Sequence, residues 1–315
     1  MKIGKAAIAF IFLTCFYLGL LLWADAKNQV LAQLHLLVNA IPFLLGISLL
    51  SYLFRYLRWR WLLSRSGFSV GWLYGFMAYL AGFAFTATPG KVGELIRIRY
   101  FTRVGVPSNI SFAAFIYERA LDLIVVLFLA SLVISRSDLL VLALSFVTIF
   151  IGLLVAIALN PNFLTWISEF FNSHSWLWLE KLVLVIRDGL LACRSWLTSL
   201  DLMISISLGL AAWTLTSCGF LWLLSNLGLS IPPLEAFSIY PMAMLVGAAS
   251  MLPGGVGSTE LSIVLLLGMY GASTSTATIA AIGIRFVTIW FAVLIGLISL
   301  SLVEFLNNNH QTEKY

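Results

Sequence analysis

Two short glycine-rich segments, each ending in a glutamate, are the parts of this sequence best equipped for chemistry. They are Pro89-Gly90-Lys91-Val92-Gly93-Glu94 and Pro253-Gly254-Gly255-Val256-Gly257-Ser258-Thr259-Glu260. An arginine follows each glutamate at the same interval, Arg119 after Glu94 and Arg285 after Glu260. A Pro-Gly break that opens a helix presents unpaired N–H groups and the positive end of the helix dipole, which suits an anion such as phosphate. Glycine lets backbone approach a ligand closely, although the same residues also serve a close-packed hairpin tip. Glu94 and Glu260 fall in the first turn of the following helices, where a carboxylate caps N–H groups; proton coupling is the alternative role. Arg119 and Arg285 lie in apolar surroundings and need partners. Either each forms a bridge to the glutamate of its own repeat, or its guanidinium holds a lipid phosphate bidentately.

The first half carries more charge than the second. Glu118 and Asp122 flank Arg119, whereas Ile284 and Thr288 occupy the matching places around Arg285. A proton or cation site at Glu118/Asp122 is one reading, and a charge network with Arg97 or Arg99 is the other. Arg55 and Arg58 share a helix face near its end, where snorkelling is expected. Arg97, Arg99 and Arg103 either recruit anionic head groups or fix topology.

The elements that must position these residues are membrane helices. Of 315 residues, 61% are apolar and 10% charged, well under the roughly one-quarter charged content of soluble domains. Between residues 202 and 303 the only charges are Glu235, Glu260 and Arg285, and residues 6–23, 36–54, 66–90 and 139–168 carry none. About 20 apolar residues suffice for a helical crossing. The pattern predicts crossings near 6–23, 41–63, 110–134, 139–159, 201–225 and 276–303, the first being a retained helix rather than a cleaved leader. The apolar segments 71–87 and 236–251 each run into a Pro-Gly break. If residues 71–103 enter and return on one side, Lys2, Lys5, Arg58, Arg60, Arg65, Arg97, Arg99, Arg103, Lys181, Arg187, Arg194 and Lys314 all lie cytoplasmic, and only Lys27 and Arg136 face out. A full crossing would move half of these outside, so positive charge favours a re-entrant hairpin.

The two halves repeat. Gly105 follows Glu94, and Gly271 follows Glu260, at one interval; Trp61-Leu62-Leu63-Ser64 with Gly67 parallels Trp222-Leu223-Leu224-Ser225 with Gly228. In the topology above one tryptophan ends a helix running inward and the other a helix running outward, so the repeats are inverted, as in many secondary transporters. The expected fold is therefore an all-α polytopic membrane protein with about six transmembrane helices and two re-entrant helical hairpins. It forms a single membrane domain: a first half 1–159 with its repeat near 41–134, a second half 201–315 with its repeat near 201–303, and a connector at 160–200. Charges seven residues apart over 175–197 (Glu180/Lys181, Arg187/Asp188, Arg194) make that connector an amphipathic surface helix.

Composition and motifs narrow the function. Cys15, Cys193 and Cys218 are widely separated and read as small buried packing residues. His35, His174 and His310 are scattered, so no metal site and no cofactor is expected. The net charge of +5 fits loops facing anionic lipid heads better than nucleic-acid binding. No phosphate-binding loop, zinc motif or nucleophile elbow is present, so an enzyme is not expected.

The ordered set Arg58-Trp59-Arg60-Trp61-Leu62-Leu63, residues 89–94 with Arg97, Glu118-Arg119-Ala120-Leu121-Asp122, residues 252–260 and Arg285 resembles the flippase-like transmembrane region of lysylphosphatidylglycerol synthases, over nearly the whole chain. That resemblance implies lipid movement between leaflets, in a prokaryotic cytoplasmic membrane; the charge distribution places both termini on the cytoplasmic side. In two-part relatives a soluble domain aminoacylates phosphatidylglycerol; no such domain is expected within these 315 residues, so that activity is not carried over. The expected substrate is an anionic or polyprenyl-phosphate-linked lipid. A small-solute or ion transporter, a membrane enzyme acting on lipid phosphate, and a non-catalytic partner of a lipid-modifying enzyme remain as alternatives, and a homo-oligomer is open.

Overall fold

A computed structural model describes residues 35–132, 138–173 and 176–312. The crossing expected at 6–23, both chain ends, Lys2, Lys5, Lys27, Arg136, Lys314, Cys15 and the side chains of the three histidines lie outside the described residues. What is described is helical, with no strand among those residues. In chain order, α1 is Ile41–Arg65, α2 Trp72–Ala81 with a tight turn at Gly82–Phe85, α3 Ile96–Arg103, α4 Ser108–Ser131 and α5 Asp138–Leu159. Then come α6 Pro161–Ser173, α7 Leu177–Cys193, α8 Ser199–Asn226, α9 Pro233–Ala249, α10 Ser258–Met269, α11 Thr274–Arg285 and α12 Phe291–Thr312. A π turn, Phe286–Trp290, joins the last two into one continuous rod.

Among the described residues, three helices are long and apolar enough to cross a membrane: Ile41–Arg65, Ser199–Asn226 and the rod Thr274–Leu306. Helix α4 has the length of a crossing but carries Glu118, Arg119 and Asp122 at its middle. The two segments before the Pro-Gly breaks are shorter. Trp72–Phe85 and Pro233–Ala249 would reach about 20–25 Å at 1.5 Å per residue, less than the ~30 Å hydrocarbon thickness.

The matched sequence marks of the two halves take the same backbone. Gly67 and Gly228 both have positive φ (84° and 72°), and the following N–H reaches back to the same helical carbonyl, Phe68 to Leu63 at 3.0 Å and Leu229 to Leu224 at 3.0 Å. These are paired Schellman ends. Gly105 and Gly271 do likewise, with Val106 bonding Phe101 at 3.1 Å and Ala272 bonding Leu267 at 3.2 Å. At the Pro-Gly turns Gly90 and Gly254 have φ of 59° and 61°, the left-handed region that glycine enters without steric cost.

Helices α1 and α8 pack along their length, antiparallel. Ser51 donates to the Ala212 carbonyl at 3.0 Å, Trp61 near the end of α1 reaches Asp201 near the start of α8 at 2.9 Å, and Leu44 lies against Gly219. The arm helix α4 packs on α9, while α12 packs on α2 and the Gly82–Phe85 turn, so each hairpin is braced by the other half. Between helices surrounded by lipid, close van der Waals fit replaces the hydrophobic drive, and Gly296 is the clearest case. A Cβ there would strike the Phe83 and Ala84 backbone. Gly296→Val should lower the thermal midpoint of purified protein, at a cost of about 1–3 kcal/mol; an unchanged midpoint would mean that α12 does not dock here as described.

The connector forms two helices, α6 and α7, packed on each other, with α7 also lying along α4. Its cysteine is structural: Cys193 donates to Ala113 O at 3.5 Å, and burial pushes its thiol up to about 12, leaving it protonated and inert. Cys218, expected to be buried, is instead exposed on the outer side of α8, a position where lipid tails accept a small apolar thiol.

Candidate functional site

The Pro89–Leu95 and Pro253–Gly255 turns meet. Their contact is reciprocal. A Cβ placed on Gly90 would meet Met251 at 3.8 Å, and one placed on Gly254 would meet Ala87 at 3.3 Å. Since Gly90 matches Gly254 and Ala87 matches Met251 in the repeat, each turn offers its glycine to the same position on the other.

Beneath this junction lies a cavity of ≈ 90 Å³, space for several water molecules, lined by residues of α1, α4, α8, α9, both turns and the α11 rod. Four cations line it, Arg55, Lys91, Arg119 and Arg285, against a single carboxylate, Glu94. Ser48, Ser51, Tyr52, Thr86, Thr216, Tyr240 and Thr288 add hydroxyl-bearing residues to the lining, beside Trp213.

The first half builds its side from a continuous ion network. Asp122 takes Arg55 at 2.8 Å and Arg58 at 2.8 Å. Glu118 takes Arg58 at 3.2 Å, Arg119 at 3.1 Å and Arg97 at 3.5 Å, and accepts the Tyr79 hydroxyl at 2.6 Å. Glu94 is bridged to Arg97 and accepts from Thr86 at 2.7 Å. Arg97 also lies over the rings of Trp59 and Tyr79, at 4.8 and 4.4 Å, a cation–π setting that suits guanidinium away from water. A charge in such surroundings is tolerable only when paired and hydrogen-bonded.

The second half is sparer. Arg285 pairs with Glu260 at 2.9 Å and donates to Gly254 O at 2.5 Å; the other Glu260 oxygen accepts the Gly257 N–H at 2.8 Å. The π turn that follows Arg285 leaves carbonyls for α1, whose Ser48 donates to Val287 O at 2.7 Å and whose Tyr52 donates to Thr288 O at 3.0 Å. Such bulges recur at functional sites.

Against the sequence expectations, Glu94, Arg119, Gly254 and Arg285 line the cavity, while Pro89, Gly90, Pro253 and Gly255 build the meeting turns. Gly93 packs on Phe85, and its N–H donates to Thr88 Oγ1 at 2.7 Å. Gly257 caps α10. Arg97, Glu118 and Asp122 stand behind the lining, in the network. Three expectations need correction. The Glu94 bridge runs to Arg97, not to Arg119, because Glu118 and Asp122 on its own helix hold the Arg119 guanidinium. Arg55 and Arg58 do not snorkel: they turn inward to Asp122, and Arg58 is 0% exposed. Arg58 and Arg97 are thus interior charges rather than charges facing cytoplasmic solvent. Arg99 and Arg103 do stay at the surface, beside Glu304 at 3.7 and 3.5 Å. The backbone N–H groups expected to hold an anion are partly taken, by Thr88 in one turn and Glu260 in the other, so the side chains supply the cavity's positive character.

Lys91 was not among the sequence candidates. Its φ is 57°, a left-handed conformation that costs a residue with a Cβ roughly 1–2 kcal/mol. Its signal was present in the repeat: it takes the place of Gly255, whose φ is 64°, so a lysine stands where the backbone asks for glycine. Among the described residues no group of acids, histidines and cysteines could hold a metal.

A search of curated proteins finds no match. A scan of protein families matches residues 4–296 to the lysylphosphatidylglycerol synthase TM region, which takes in both turns, the ion network and Arg285. The chain belongs to this family of membrane regions from lysylphosphatidylglycerol-synthase-related proteins, an integral membrane protein with a lipid-related role.

Proposed function

We propose that this protein moves an anionic lipid, or a lipid-linked phosphate intermediate, between the leaflets of the cell membrane. The observation that carries the proposal is the cation-lined cavity where the two Pro-Gly turns meet. Arg119 and Arg285 bind the phosphate, Glu260 orients Arg285, and the tails stay in the bilayer so that only the head group needs a polar path. In this reading the chain crosses six times, with α2/α3 and α9/α10 as re-entrant hairpins entering from opposite sides. Both termini are cytoplasmic. The short reach of Trp72–Phe85 and Pro233–Ala249 and the antiparallel run of α1 on α8 support that arrangement. Irregular backbone at membrane depth is tolerated where it is enclosed by protein or lines a wet cavity, which is the setting of both turns. Catalysis is not part of the proposal.

The test is leaflet exchange of head-group-labelled phosphatidylglycerol, a zwitterionic phospholipid and a polyprenyl phosphate in proteoliposomes. Exchange restricted to the anionic lipids, and reduced to the protein-free rate by combined Arg119→Ala and Arg285→Ala, is the expected result. If folded protein exchanges no lipid, the flippase reading fails and a solute transporter or an accessory membrane partner takes its place.

A further inference from the structure

The balance of charge in the site identifies which kind of phosphate it takes. The cavity lining and the whole ion network joined to it hold six cations, Arg55, Arg58, Lys91, Arg97, Arg119 and Arg285. Four carboxylates answer them: Glu94, Glu118, Asp122 and Glu260. Two positive charges are left over, in a place where an unbalanced charge is costly. Two of these cations, Arg119 and Lys91, stand at the cavity wall, while Arg58 and Arg97 lie behind it. Arg119 lines the cavity, and among the described residues its buried Nε has no hydrogen-bond partner. Lys91 lines it on a backbone that disfavours any side chain, while the matching turn of the second half carries glycine at that place. A strained residue held at a ligand cavity is a mark of function.

Resting on the flippase reading, we infer that the cavity takes a phosphate monoester, a terminal phosphate of nearly two negative charges, in preference to the singly charged phosphodiester of an ordinary phospholipid, with Lys91 as the ligand that discriminates between them. A monoester carries about −1.5 to −2 at neutral pH and presents three strong acceptor oxygens. Arg119 and Arg285 approach from the two halves with guanidinium groups that also hold Glu118, Asp122, Glu260 and the Gly254 carbonyl, and the Lys91 ammonium answers the remaining charge as a point donor. A diester has one anionic charge and two ester links, so it leaves one surplus cation unanswered.

Lys91→Gly tests this without risking the fold, because glycine is the residue that this backbone conformation favours. Full-length protein in detergent is titrated calorimetrically with short-chain phosphatidate, short-chain phosphatidylglycerol, glycerol 3-phosphate and inorganic phosphate. Wild type is expected to bind phosphatidate about tenfold or more tightly than phosphatidylglycerol, the worth of one charge-assisted hydrogen bond. Lys91→Gly should lose most of that preference while its thermal midpoint holds or rises. Equal affinity of wild type for the two lipids, or full preference in Lys91→Gly, overturns the inference. Inorganic phosphate or glycerol 3-phosphate binding as tightly as phosphatidate keeps the monoester assignment and removes the lipid from it. In proteoliposomes, equal exchange of phosphatidate and phosphatidylglycerol sinks the inference and leaves the flippase reading standing, whereas no exchange of either sinks that reading.

Discussion

Arg285→Ala should cut translocation severely while leaving folded protein in the membrane. Arg285 is 1% exposed, yet its loss does not strand its partner, because Glu260 keeps the Gly257 N–H and its side chain is 17% exposed. What disappears is the fork that faces the cavity and the bond to Gly254 O that ties the rod to the turn. One charge-assisted hydrogen bond is worth about 1.5–3 kcal/mol, so exchange should fall by roughly tenfold to a hundredfold or more. Leaflet-exchange rates beside a size-exclusion profile of the same preparation check both halves of the expectation. Normal exchange in a monodisperse variant would remove Arg285 from the mechanism.

Asp122→Ala should fail in the opposite manner, through the fold. Asp122 is the shared partner of Arg55 and Arg58 at 2.8 Å each and also lies 3.4 Å from Arg119. Removing it leaves Arg58, 0% exposed, with Glu118 as its remaining partner among the described residues, and leaves Arg55 with Trp213, whose ring lies 4.7 Å away. Breaking one side of a buried ionic cluster costs about 3–5 kcal/mol, a large part of the stability of a typical domain. The expected readout is a collapse in the yield of monodisperse protein, with the thermal midpoint of any surviving fraction lowered. Wild-type yield and stability would show that the network is not what holds α1 to α4. The two variants thus separate a residue that acts on the ligand from one that holds the scaffold.

The sequence carried the parts of this architecture that depend on local rules. Gly67, Gly105, Gly228 and Gly271 end helices because the last turn needs a left-handed residue, and they recur at matched intervals, so the repeat was legible. The pairing of Arg285 with Glu260 could be anticipated for the same reason, since an apolar helix offers its charge few alternatives. In the first half the alternatives are many. Seven charged side chains compete there, and the pairing is settled by which helices meet in space, which spacing along the chain does not encode. Spacing alone therefore pairs Glu94 with Arg119, although Arg97 lies one turn away on the same chain segment. Arg55 and Arg58 were misjudged likewise, because a position near a helix end reveals nothing about which face looks inward. The π turn after Arg285 has no local sequence signature: Phe286-Val287-Thr288-Ile289-Trp290 would serve equally well as ordinary helix.

The meeting of the two turns bears on how such a protein would respond to voltage. If the hairpins are re-entrant as proposed and water reaches them from both sides, the insulating layer would narrow to the two backbone turns, Pro89–Leu95 against Pro253–Gly255. The electric field of the membrane is then concentrated across that thin septum, and a charge carried past it feels much of the potential, up to about 2.3 kcal/mol per charge per 100 mV. An occupied cavity whose ligand balances the surplus cations is electrically silent. The empty cavity is not, so in this arrangement membrane voltage would act on the return of the unloaded protein and hardly at all on the step that carries the lipid.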